Sequence, residues 1–288
     1  MRITSLMIQM NLKSGLSGRL AALAKASTQA ATGHRIQTVS DDPVSATQIM
    51  RMQSQVADMT QYQRNGTFAT TKLSTEDVAI SSLLNNLASA RKLALTAMSA
   101  DPADPSRQAA LENAKQLREQ MIALGNTRVG DQYIFGGDQT TTPPFTATGT
   151  YVGTSNVMSI TINDNVSTPV NHSGQPLFTD ALSAVNDLIT QLTSGSPDQI
   201  AASAGQLDAA TRTAHGIQSE VGARLDDIRQ QATQLASQRA TLLDRRDALM
   251  NVDPAQAIIE MQQQQAALEQ AYAVVGRVLQ STLTDYLR

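Results

Sequence analysis

The chain has 288 residues, enough for two or three domains or for one long helical one. Charged residues make up 16% and aromatic residues 3%, and the formal net charge is -3 with no dense Lys/Arg run. These values argue against a core rich in Phe and Trp and against a binder of nucleic acid that works by neutralising phosphates. Cysteine is absent, which removes disulfides, thiolate chemistry and cysteine metal sites. No apolar run reaches the roughly 18 residues of a membrane span. The opening MRITSLMIQMNLKSG lacks the continuous apolar stretch of a cleaved secretory signal. On these grounds the protein is expected to be cytosolic or to leave the cell by a route that needs no such signal.

The first pattern, over 3–31, is helical: Leu12, Leu16, Leu20, Leu23, Ser27 and Ala30 recur at spacings of three and four, opposite Lys13, Arg19 and Lys25. Thr32–Pro43 interrupts it. Gly33 can close the helix because it tolerates the left-handed conformation. Asp42-Pro43 can open the next helix, Asp as N-cap and Pro in the first turn, where an N–H has no partner anyway. That second helix is expected over 43–98, through Ile49, Met52, Val56, Met59, Leu73, Ile80, Leu84, Leu87 and Met98. Gln63, Gly66 and Thr70 fall on its apolar stripe, so a bend or break is expected near Asn65-Gly66. Unbroken, it would be about 80 Å long. Asp101-Pro102 and Asp104-Pro105 end it and start a shorter helix carrying Ala114, Leu117, Met121 and Leu124, which Gly125-Asn126 stop.

From about 130 to 176 the composition turns to Gly, Thr, Asn, Val and Pro. Gln132–Phe135 is a short strand candidate. Met158, Ile160 and Ile162 alternate with polar residues, the period of a half-buried strand, and a hairpin with Thr150–Val152 is expected. Helical spacing returns at Phe178, Leu182, Val185, Ile189 and Leu192, and Ser196-Pro197 caps the next helix. There every seventh residue is apolar: Ile200, Leu207, Ala214, Val221, Ile228, Leu235, Leu242 and Leu249. The flanking Ser203, Arg224, Gln231 and Arg245 are polar, so a narrow seam against one neighbour is expected. Gly222 reads as a close-packing site between helices. Asp253-Pro254 then repeats the start signal of Asp42-Pro43 before a last helix with Ile258, Met261, Gln265, Leu268, Tyr272, Val275, Leu279, Thr282 and Tyr286 on one face.

The plan is nested. It predicts a mainly α fold, an elongated rod of long antiparallel, coiled-coil-like helices with paired terminal helices and a small β insert. The expected domains are 1–42 with 252–288, an assembly domain; 43–137 with 178–251, a helical rod; and 138–177, the insert. Two terminal helices of this size bury little surface by themselves, so both ends are expected to be mobile in the monomer and to order on assembly. Terminal-helix packing is assigned to Leu16, Leu20, Leu23, Ile258, Met261, Leu268, Tyr272, Val275 and Leu279. Arg35, Asp41, Asp42, Pro43, Asp253 and Pro254 are assigned to the corner that joins these helices to the rest, with Arg35, Asp41 and Asp42 fixing it by charge-assisted hydrogen bonds. Periodicity alone fits a self-contained bundle as well as an assembly subunit.

No constellation points to catalysis, a cofactor or a metal. His34, His172 and His215 lack ligand spacing and read as solvated or hydrogen-bonded histidines. Asp41-Asp42 reads as cap and corner hydrogen bonding in preference to a carboxylate pair for acid/base or metal work. Asp226-Asp227 reads as a solvated helix face, and Gly136-Gly137 has no phosphate-loop context.

Thr32-Gly33-His34-Arg35-Ile36 with Asp41-Asp42-Pro43-Val44 resembles the N-terminal signature of the bacterial flagellin-like proteins. Gln61–Asn65, Asn126-Thr127-Arg128, Tyr133–Gly137, Glu220–Arg224, Gln262–Glu269 and Leu283–Leu287 extend the resemblance in the same order. It covers about 1–137 and 178–288. Met1-Arg2-Ile3-Thr4, the Pro after Asp41-Asp42 and the QYQRN run make the chain most similar to the hook-associated junction members of that family. Asp253-Pro254-Ala255 departs from it, standing where the family often has a more acidic stretch without proline. The resemblance implies a structural, non-enzymatic subunit joining flagellar hook to filament. Its partners would be copies of itself in a ring or tube, a neighbouring hook-associated protein, filament flagellin, and a cytosolic export chaperone on the C-terminal helix. It would be extracellular in the flagellum after type III export. A filament flagellin, and a soluble helical signalling or ligand-binding module, are the alternative readings.

Overall fold

The computed structural model describes residues 2–98, 101 and 104–286. Among them the chain is mainly helical with two small hairpins: α1 (Arg2–Thr32), α2 (Pro43–Ala97), α3 (Pro105–Gly125), β1 (Arg128–Val129), β2 (Gln132–Tyr133), β3 (Ser159–Asn163), β4 (Val166–Pro169), α4 (Gly174–Ser194), α5 (Pro197–Met250) and α6 (Pro254–Tyr286). Pro102 lies outside the described residues. No helix of the described residues is long and apolar enough to cross a membrane. The chain separates into two compact units, 1–57 with 239–288 and 58–238, so the division falls inside α2 and α5.

Helix starts follow local cap chemistry. Asp104 accepts the Ser106 N–H at 2.7 Å, with Pro105 in the first turn of α3. Before α5, Ser196 N–H donates to Gln199 Oε1 at 2.8 Å and Gln199 N–H returns to Ser196 Oγ at 3.4 Å, a reciprocal capping box. The expected bend or break at Asn65-Gly66 does not occur, since α2 is one uninterrupted helix. The polar interruption is accommodated instead: Gly66 is buried beside Ile228, and the Thr70 hydroxyl bonds back to the Gly66 carbonyl at 2.8 Å.

In the larger unit the heptad line of α5 is the buried seam. Ile200, Leu207, Ala214, Val221, Ile228 and Leu235 are all 2% exposed or less. From 200 to 225 the seam is broader than the sequence suggested, because Ser203, Ala204, Ala210 and Leu225 are buried as well. Ser203 meets this by donating to the Ile200 carbonyl at 2.7 Å. A Cβ on Gly222 would meet nothing within 4 Å, so that glycine is not a close-packing site. Helices α2 and α5 are tied across this seam by Arg91–Asp208 at 2.6 Å and by Gln218, which donates to Asp77 and Ser81 at 3.2 and 2.9 Å. Helix α3 packs on α4. Buried Arg107, near the start of α3, donates to the Leu192, Gln191 and Gly195 carbonyls at 2.9, 2.7 and 2.6 Å, a positive charge on the C-terminus of α4.

Strand pairing differs from expectation. Strand β3 pairs antiparallel with β4, Ile160 opposite Thr168, and not with Thr150–Val152; Tyr151 bridges Phe145 instead. The turn is Asp164-Asn165, with Asn165 at φ 56°, a conformation asparagine tolerates better than most residues. A short segment of Gln132–Phe135, Gln132-Tyr133, is strand and pairs with Arg128-Val129.

Three of the four Phe residues gather where this insert meets the helices. Phe135, Phe145 and Phe178 are 2% exposed or less, with ring centroids 4.7 Å (135–178) and 5.6 Å (145–178) apart in edge-on geometry. Phe145 fits only because Gly125 and Gly174 lack a Cβ, which would come within 2.6 and 2.7 Å of its ring. Asn126 clasps its backbone, donating to the Phe145 carbonyl and accepting its N–H, both at 2.9 Å. Phe178→Ala is therefore expected to cost this unit about 3–5 kcal/mol. Urea unfolding followed by circular dichroism reads this out, and a loss under about 1 kcal/mol would deny the aromatic cluster that role.

Candidate assembly site at the corner

Within the smaller unit the chain turns twice, at Thr32–Pro43 and at Asn251–Pro254, and the two turns are stitched together. Gly33, at φ 71°, ends α1 with its N–H on the Gln29 carbonyl at 2.8 Å. Its own carbonyl accepts the Val252 N–H at 2.8 Å, and the Arg35 N–H donates to the Met250 carbonyl at 2.7 Å. His34 and Asn251 thus face each other as an antiparallel bridge. Beneath it, Ile36, Ala46 and Ile49 form a small apolar cluster with Leu249 and Met250 packed against it.

The charged residues divide the work. The Arg35 guanidinium reaches Asp42 Oδ2 at 3.3 and 3.4 Å and the Leu249 carbonyl at 3.2 Å. Asp42 also caps α2, accepting the Ser45 N–H at 3.1 Å, with Pro43 in the first turn. Asp41 does not pair with Arg35. Its Oδ1 meets Lys25 Nζ at 2.7 Å, and its Oδ2 accepts the Gln37 and Thr38 N–H groups at 3.2 and 3.0 Å. Asp253 caps α6 through the Ala255 N–H at 2.8 Å, with Pro254 following. All four oxygens of Asp41 and Asp42 are therefore engaged in holding the chain. Lys25, chiefly, and then the two backbone N–H groups hold the Asp41 carboxyl far below the usual carboxylate range. Ser45, through its side chain and backbone, and then Arg35 lower that of Asp42.

Helices α1 and α6 leave this corner packed against each other. Among the side chains described, only Ala26 of α1 and Ala257 and Leu268 of α6 are buried. Leu16, Leu23, Met261 and Val275 are half-buried, while Leu20, Ile258 and Tyr272 are 45%, 47% and 50% exposed. The Leu279 side chain lies outside the described residues. Met7, Met10, Ile259 and Val274 are exposed too, at 53–64%. Lys25 and Ile36 were read from the sequence only as a polar-face residue and as part of the signature run, and neither they nor Gln29 were assigned to the corner. Lys25 sits on the polar face of α1 and meets Asp41 only once the chain has turned, which helical spacing cannot show. Among the described residues no cluster of His, Cys, Asp or Glu could hold a metal ion.

Residues 3–140 match the bacterial flagellin N-terminal helical region. The chain is also 31% identical over 177 residues to the flagellar hook-associated protein 3 of Escherichia coli K12, a match covering 61% of this chain and 56% of the relative. The chain therefore spans little more than half the length of that relative. In fold it is similar to the FlgL protein of Bacillus cereus, with a TM-score of 0.62, 23% identity, and 68% of this chain and 99% of the other covered. It is likewise similar to the flagellar junction protein of Legionella pneumophila, with a TM-score of 0.55, 16% identity, and 72% and 100% covered.

Two outcomes follow for the corner. Because the Asp41 and Asp42 carboxyls are lowered from 3.8, their contribution is complete above that value and is lost as pH falls through the lower folded values. Asp41→Asn should remove part of the acid-side loss of thermal stability between about pH 5 and about pH 2, measured by calorimetry. An acid limb identical to that of the unaltered protein would refute this. Arg35→Ala should destabilise the smaller unit by no more than about 1 kcal/mol, because the pair is partly exposed and the two backbone bonds remain; chemical denaturation checks it.

Proposed function

We propose that this protein is a structural subunit of the bacterial flagellum that forms the junction between hook and filament and assembles through its terminal helices. The observation that carries this reading is the α1–α6 pair. It is rooted at a fully bonded corner, yet it leaves Met7, Met10, Leu20, Ile258, Ile259, Tyr272 and Val274 in water. Burying one such side chain is worth about 1.5–3 kcal/mol, so a face of this kind favours lateral contact with further helices. The similarity to hook-associated protein 3 supplies the setting.

In this reading residues 1–42 with 252–288 are the assembly domain, 43–137 with 178–251 a helical body, and 138–177 the insert. Leu16, Leu20, Leu23, Ile258, Met261, Leu268, Tyr272, Val275 and Leu279 pack between terminal helices of one copy and its neighbours. Arg35, Asp41, Asp42, Pro43, Asp253 and Pro254 hold the two turns at which those helices end and begin. A contact of one copy's face with a different face of the next generates a ring or tube, not a closed dimer. The partners are copies of the chain, a neighbouring hook-associated protein and filament flagellin. A cytosolic chaperone covers the apolar face of α6 before export through the flagellar type III apparatus, and the role is not enzymatic.

Electron microscopy of cells lacking the protein tests this. Bare hooks, with filament flagellin shed into the medium and filaments restored by the intact chain but not by one truncated after about residue 252, are expected. Normal filaments without the protein, or long self-seeded filaments grown from the purified protein, would overturn the reading.

A further inference from the structure

His172 lies between β4 and α4, inside the insert, and reaches out of it to both long helices of the larger unit. Its Nδ1 is 2.6 Å from Glu76 Oε1 on α2, and its Nε2 is 3.6 Å from Glu220 Oε2 on α5. Glu220 is joined in turn to Arg224 through its other oxygen. The Glu76 side chain is 1% exposed and that of His172 12%. Glu76 Oε2, His172 Nε2 and Arg224 Nη1 are all buried without a hydrogen-bond partner.

We propose that His172 is a proton-operated latch: as imidazolium it ties the insert to Glu76 and Glu220 together, and on losing a proton it lets go of the α5 side. A carboxylate removed from water needs a counter-charge, and His172 is the cation recorded within ion-pair distance of Glu76 among the described residues. The imidazolium carries an N–H on each side, and each side here faces a carboxylate. Neutral imidazole has one N–H. The shorter contact keeps it on Glu76, and the bare Nε2 lone pair is left against Glu220.

The other charged groups nearby do not replace it. Lys72, one turn earlier on α2, lies over the Phe68 ring at 4.9 Å from its centroid. Asp77 accepts from Gln218, and Arg224 is already paired with Glu220. The insert is also tied to α2 by Asn65, which donates to the Thr161 carbonyl at 2.7 Å, to α5 by Asn163, which donates to Gln231 at 3.1 Å, and at the end of α3 by Asn126 on the Phe145 backbone and Arg118 on the Thr148 carbonyl; none of these ties contains a carboxylate or an imidazole. Proton loss therefore loosens the insert without detaching it.

Amide hydrogen exchange of β3 and β4 in the full chain, corrected for intrinsic exchange chemistry, tests the latch. Protection is expected to be roughly threefold greater at about pH 5.5 than at about pH 8, the scale of one partly exposed ion pair. His172→Gln should abolish that difference, and Glu220→Gln should remove most of it. No pH difference in the unaltered protein, or one that survives His172→Gln, overturns the proposal. If His172→Gln does not fold, Glu220→Gln decides alone, because that carboxylate is 54% exposed and its loss leaves the core intact. An undiminished pH difference there overturns the latch.

Discussion

Two backbone hydrogen bonds set the geometry of the smaller unit: Arg35 N–H to the Met250 carbonyl, and Val252 N–H to the Gly33 carbonyl. They join segments more than two hundred positions apart in the chain, and they fix where α1 ends and where α6 begins. A two-bond bridge is weak alone, since each such bond contributes only about 1 kcal/mol net. The side chains around it share one task, which is to leave the turn no other conformation. Asp41 gathers the Gln37 and Thr38 N–H groups, Asp42 and Asp253 cap the outgoing helices, and Gly33 supplies the positive φ. Arg35 then spans the turn from Asp42 to the end of α5.

The larger unit is held by a different means. It depends on side chains removed from water, with Phe135, Phe145 and Phe178 at the insert and the α5 heptad line along the helices. Several of the polar groups that enter that interior are satisfied in full. Arg107 is fully buried because three carbonyls at the end of α4 receive its guanidinium. Asn126 is half-buried because it closes a two-way clasp on Phe145. Glu76 is not satisfied in full: one oxygen has His172, while the other, like Gln132 Oε1 and Thr179 Oγ1, is buried without a hydrogen-bond partner. A buried carboxylate paired on one side only is sensitive to the protonation of the group that pairs with it.

What the sequence made legible follows from range. Helix starts at Asp42-Pro43, Asp104-Pro105, Ser196-Pro197 and Asp253-Pro254 were readable because capping needs only residues within one turn. The heptad seam was readable because its period repeats over eight positions. The pairing of β3 was misread because its turn, Asp164-Asn165, lacks the glycine that usually advertises one, and Thr150–Val152 had the better strand composition. The helix break at Asn65-Gly66 was misread because the gap that Gln63, Gly66 and Thr70 leave in the apolar stripe is absorbed by the packing of Gly66 against Ile228, which the spacing does not show. Lys25–Asp41 and Glu76–His172 were out of reach for a single reason. Their partners meet through the fold, 96 positions apart in the second case, and no local pattern encodes such a meeting.

The contrast between the two units bears on assembly. A unit that must exist alone puts its large apolar side chains inside, as the larger one does. The smaller unit concentrates its bonding at the root of two helices and lets their faces run out with Ala26, Ala257 and Leu268 as the buried residues described. Over the described side chains, so few buried residues give the two helices little stability from each other, because helical order in water comes mainly from the packing of an apolar face. A rigid root and an open face are opposite properties in a closed fold but complementary in a subunit. In the subunit proposed above, the root would set the direction of the helices before any neighbour arrives, and the open face would gain its packing energy only in that direction. Lateral contact would thereby be coupled to orientation, which is what distinguishes ordered assembly from indiscriminate adhesion of apolar surfaces.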